Sequence, residues 1–75
     1  MNPIELGFEL FNEIEAVRKG TNANSWRWDR TIKCDDPKDV MTICSIAGCW
    51  CDVPSGYVRF YSNQNHPAHE GNFQM

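Results

Sequence analysis

The sequence has no surplus of positive charge: 7 Lys and Arg stand against 10 Asp and Glu, a formal net charge of −3. Nucleic-acid binding without sequence preference rests on cations that neutralise phosphates. The composition therefore argues against nucleic acid as a partner, while an excess of three acids is too small to imitate DNA. A long apolar run is also missing. No stretch approaches the roughly 20 residues of a membrane span, so no membrane partner is expected. Met1-Asn2-Pro3-Ile4-Glu5 lacks a basic n-region, and Glu5, Glu9, Glu13 and Glu15 interrupt the apolar residues that follow, which is unlike a secretory signal. The expectation is a cytoplasmic protein whose cysteines are reduced. The five glycines are scattered, and none falls in a G-x-G-x-x-G or P-loop pattern that would cradle phosphate.

What is present suffices for one small core. A chain of 75 residues buries only about 60–65% of the surface its unfolded form exposes, so its stability margin is thin. Four Phe, three Trp and two Tyr supply large buried areas at low cost. The least polar run is Val40 to Val53, which holds three of the four cysteines. Ile43, Ile46 and Trp50 are the mid-chain residues expected to organise the core.

Along the chain, Pro3 to Lys19 reads as an amphipathic helix. Asn2 suits the N-cap, Pro3 the first helical position and Glu5 the third, completing a capping box, and Gly20 is the stop. Ile4, Phe8, Leu10, Phe11, Ile14 and Val17 recur at three- and four-residue steps as one broad apolar face. Glu5, Glu9, Asn12, Glu13 and Lys19 are assigned to a solvated side. Ser25 to Cys34 alternates as a strand, with Trp26, Trp28, Arg30, Ile32 and Cys34 on one face and Arg27, Asp29, Thr31 and Lys33 on the other. The stretch 37–47 is contested. Asp36-Pro37 and Gly48 are helix start and stop signals, whereas Val, Ile, Thr and Cys favour a strand; the boundary signals tip the balance to helix. Cys49–Val53 and Tyr57–Ser62 read as a hairpin around Pro54-Ser55-Gly56. With Val53 opposite Tyr57, Trp50 would face Phe60 and share the core face with Val58. Residues 63–75 read as a polar, irregular tail after a single domain of residues 1–62.

Chemistry-bearing residues are sparse. Cys34, Cys44, Cys49 and Cys51 are spaced x9, x4 and x1, followed by His66 and His69. Zinc sites offer paired C-x2–4-C knuckles; Cys44-x4-Cys49 is near that form and Cys49-x-Cys51 is not. A Cys49–Cys51 disulfide would be strained, because the Cα atoms of alternate strand residues lie near the upper limit of about 6.8 Å. Free thiols acting as small hydrophobes are the plain reading. A thiol–His pair would need an orienting group and an oxyanion hole, and neither has a signature here. Trp26-Arg27-Trp28-Asp29-Arg30 interleaves aromatics with cations as single-strand nucleic-acid platforms do, but the alternation separates Arg27 from the tryptophans.

These readings converge on an α+β fold: an N-terminal amphipathic helix on a small antiparallel sheet of three to four strands, with a second short helix at 37–47. The expected function is non-enzymatic, with no cofactor: an interaction module that binds another protein and occupies its surface, as an inhibitor or regulator of phage or mobile-element type would. Tyr57, Arg59 and Tyr61, on the sheet face that one helix leaves uncovered, are the expected contact residues. The alternative is a small zinc-stabilised module, with Cys34, Cys44, Cys49 and Cys51 as ligands, that contacts nucleic acid.

Overall fold

The computed structural model describes residues 2–20, 25–52 and 57–65. Helix α1 spans Pro3–Gly20, strand β1 Arg27–Ile32, helix α2 Pro37–Ala47, strand β2 Trp50–Asp52 and strand β3 Val58–Asn63. The α+β architecture follows the sequence reading, and the contested stretch is the second helix.

Both helices begin at side-chain caps. Asn2 Oδ1 accepts from the backbone N–H of Ile4 at 3.0 Å and of Glu5 at 3.2 Å, which satisfies amides that have no partner inside the helix. Glu5 completes the box in a modified form, accepting from the Asn2 side-chain amide at 3.3 Å instead of its backbone. Asp36 caps α2 by accepting from Lys38 N–H at 2.9 Å, with Pro37 next in the chain. Gly48 ends α2 at φ 69°, ψ 50°, and its N–H donates to the Cys44 carbonyl at 2.8 Å. A left-handed residue of this kind is the usual C-terminal stop, and glycine takes it without a Cβ penalty.

The sheet has the order β1-β3-β2, antiparallel throughout. Its inner face carries Trp28 on β1 and Val58, Phe60 and Ser62 on β3, all buried. The helices cover this face with Leu10 and Ile14 from α1 and Val40, Ile43 and Ala47 from α2; these residues form one apolar core with Trp26, Cys34 and Cys49. The Ser62 hydroxyl is buried with no hydrogen-bond partner among the described residues. α1 packs mainly against α2. The two helices approach closely at Gly7, where a Cβ would lie 2.8 Å from the Ile46 Cβ.

Three expectations are corrected. The buried stripe of α1 runs through Gly7, Leu10 and Ile14, flanked by Leu6 and Val17, while Ile4 and Phe8 are exposed. Helix α2 lies along that stripe, on the small residue Gly7, and so turns Ile4 and Phe8 outward. The acidic side of α1 is not merely solvated. Glu13 accepts from the buried Trp28 indole N–H at 3.2 Å, and Glu9 and Glu13 both accept from Arg30 Nη1. Those bonds tie α1 to the β1 edge. The Arg30 guanidinium is held above its ordinary pKa, chiefly by its hydrogen bond to Glu9, with burial working against it.

The third correction is the most consequential. β2 pairs Trp50 with Tyr61, Cys51 with Phe60 and Asp52 with Arg59, one residue out of the expected register. A slip of one residue moves every side chain of a strand to the other face. Trp50 accordingly leaves the core and is 38% exposed, while Cys51 turns inward against it. Residues 53–56, read above as a hairpin connection, and residues 66–75, which include His66 and His69, lie outside the described residues. β3 extends to Asn63, where the irregular tail was expected to begin, and its side chain accepts from Asn65 N–H at 2.8 Å.

Candidate functional site

The outer face of the sheet is covered by no described element. Antiparallel neighbours share a face, so the registers place Asp29, Tyr61 and Trp50 in one row across the three strands, with Thr31, Arg59 and Asp52 in the next. Arg59 is at the centre. Its Nη2 lies 3.5 Å from Asp29 Oδ2 and its Nη1 lies 3.5 Å from Asp52 Oδ2, so carboxylates from both edge strands flank one guanidinium. The guanidinium carbon sits 4.6 Å from the Tyr61 ring centroid. Tyr61 in turn meets Trp50 with ring centroids 5.5 Å apart and planes tilted by 41°.

The ion pairs are half exposed and add at most about 1 kcal/mol of stability each. Their effect is positional: two carboxylates hold the guanidinium over the tyrosine ring, and a cation there is attracted by the ring's electron density. All three residues expected at this surface are accessible. Arg59 and Tyr61 sit together in it, and Tyr57, 50% exposed, stands just before β3. Sequence reasoning missed Trp50, Asp29 and Asp52. One signal could have found Asp52 and, through the register it sets, Trp50: pairing Asp52 with Arg59 joins opposite charges, whereas Trp50 meets an aromatic in either register.

No family model, curated protein or solved structure matches this chain.

The four cysteines are free thiols, and the fold splits them. Cys34 is buried at the approach to α2, its Sγ 3.9 Å from the Asp36 carbonyl to which it donates. Cys44, Cys49 and Cys51 line a cleft of about 280 Å³ on the inner side of β2, with Val40, Met41, Ser45 and Trp50. Hydrogen bonding between Cys44 and Cys49, followed by burial, pushes the Cys44 thiol well up, and a hydrogen bond with Cys51 partly offsets this. Cys51 is pushed up to about 11 by burial, then by hydrogen bonding to Cys44 and by the charges of Cys44 and Asp52. Among the described residues, no group of three or more His, Cys, Asp or Glu is placed to hold a metal ion. Of the four-cysteine set expected from spacing, Cys34 lines a different cleft, with Asp35, Pro37, Val40, Met41 and Val58. No helix among the described residues is long and apolar enough to cross a membrane.

Proposed function

We propose that the protein is a non-enzymatic interaction module that binds another protein through the open sheet face centred on Arg59. The observation that carries this reading is the uncovered cluster of Trp50, Tyr61 and Arg59, in contact across two adjoining rows of a three-stranded sheet. Trp, Tyr and Arg dominate binding hot spots, because they offer wide apolar area and several donors at little cost in conformational freedom. The sheet backbone and the flanking carboxylates fix the side chains in advance, which lowers the ordering cost of association. A guanidinium has five N–H donors, and Asp29 and Asp52 leave some of them for a partner. The surface that fits offers an apolar ledge for Trp50 and acceptor oxygens for Arg59.

The test begins with capture of partners from the source cell on the immobilised wild-type chain. Each purified partner is then titrated against wild type, Trp50→Ala and Arg59→Ala. Each substitution is expected to weaken binding by about 1–3 kcal/mol while the chain still folds cooperatively, with the melting temperature nearly unchanged for Arg59→Ala and lowered by several degrees for Trp50→Ala. A partner that binds both variants as tightly as wild type uses some other surface, and the reading then fails.

A further inference from the structure

The thiols beneath β2 are not used by the open sheet face, and two local rules bring them together. Gly48 turns the chain back on itself at the end of α2, so the residue that follows it, Cys49, lies against the last helical turn, which carries Cys44. Strand alternation then returns Cys51 to the same side two residues later, where it is partly buried opposite Phe60. The Gly48 N–H bond to the Cys44 carbonyl at 2.8 Å fixes this turn, and all three cysteines line one cleft.

We propose that Cys44 and Cys49 are a redox couple, closed by a peroxide into a disulfide at the C-terminal end of α2, with Cys51 held beside them as an exchange partner. Two thiols that flank one helix stop and line one cleft are placed to approach to the ~2.05 Å bond of a disulfide. The cleft of about 280 Å³ is ample for hydrogen peroxide, which is little larger than a water molecule of about 30 Å³. In the first step one sulfur, losing its proton, attacks a peroxide oxygen. The O–O bond breaks, the departing oxygen leaves as water, and the sulfur becomes a sulfenic acid. The neighbouring sulfur, losing its proton, then attacks that sulfur. The S–S bond forms, the S–O bond breaks and a second water leaves. Two thiols and one hydrogen peroxide become one disulfide and two waters; the sulfurs give up two electrons and the peroxide oxygens take them. A dithiol reverses the reaction by exchange. Cys34 provides an internal control, because it is buried as Cys49 is but has the Asp36 carbonyl as its hydrogen-bond partner and lines a different cleft.

The experiment treats the folded, reduced full-length chain with hydrogen peroxide, alkylates the remaining thiols, and maps the linked peptides by mass spectrometry. The expected product is a chain lighter by two hydrogens, with a Cys44–Cys49 link, a minor Cys44–Cys51 link and Cys34 alkylated. Dithiothreitol should return all four thiols. Cys34→Ser should behave as wild type, and Cys44→Ser should form no intramolecular disulfide. Mapping the wild-type chain is decisive by itself if Cys44→Ser fails to fold. Four alkylated cysteines after oxidation would overturn the proposal. So would a link to Cys34, cross-links only between chains, or a folded Cys44→Ser that still closes a disulfide.

Discussion

Phe60 and Trp50 show how much one position of register decides. Both are large aromatics on adjacent strands, yet Phe60 is fully buried and Trp50 is 38% exposed. Phe60→Ala removes a ring from a packed interior and should cost about 3–5 kcal/mol, most of the stability of so small a chain. Trp50→Ala removes a half-exposed ring and its contact with Tyr61, so a smaller loss of about 0.5–1.5 kcal/mol is expected. Urea unfolding of the two variants measures the difference directly. Equal losses would return Trp50 to the core. Hydrophobicity alone ranks both residues as interior, and for Trp50 that ranking fails. Its position follows from Cys49, which packs against α2 just after the helix stop and so sets the alternation of the three residues that follow.

Between elements, the close approach of α1 and α2 at Gly7 gives a prediction opposite to that of helix propensity. Alanine is favoured over glycine within a helix by about 1 kcal/mol, but here a Cβ meets the Ile46 Cβ at 2.8 Å and its Cγ2 at 3.0 Å. Ile46 is β-branched and on a helix, so it has little freedom to move aside, and overpacking of this kind costs about 1–3 kcal/mol. Gly7→Ala should therefore lower the melting temperature, while Gly20→Ala, with nothing within 4 Å of its new Cβ, should leave it unchanged or raise it slightly. The α2–β2 contact has a pH signature. Cys51 titrates at about 11 in the fold against an ordinary 9.0. Below pH 9.0 both folded and unfolded chains hold the proton, and the full contribution of the buried thiol is present. As pH rises toward about 11, the unfolded chain loses its proton first and stability falls. The melting temperature of wild type should drop more steeply across that window than that of Cys51→Ser; parallel curves would show that the thiol is not held in its neutral form by burial and by its contact with Cys44.

At the scale of the whole molecule, β3 is the strand on which the sheet depends, since β1 and β2 each pair with it and not with each other. A chain ending at Asp52 keeps both helices and two strand sequences yet has no ladder to form. It should show no cooperative thermal transition by circular dichroism; a sharp transition would mean that the helices fold without the sheet. What the sequence determined by itself is local. Asn2, Pro3, Asp36, Pro37 and Gly48 set the helix ends, because caps and stops act within a turn of the residues that make them. The alternation around Trp28 identified the inner face of β1, because side chains on a strand alternate whatever the strand packs against. Placing Arg59 and Tyr61 on the outer face followed from the same rule. The tertiary structure decided which apolar stripe of α1 is buried, that Glu9 and Glu13 reach across to Arg30 and Trp28, that Trp50 joins the outer face, and that three of four cysteines share a cleft. Each of these depends on how two elements distant in the chain meet. A register shifted by one residue or a helix rotated by part of a turn leaves every local preference satisfied, so only packing against the rest of the molecule selects between them.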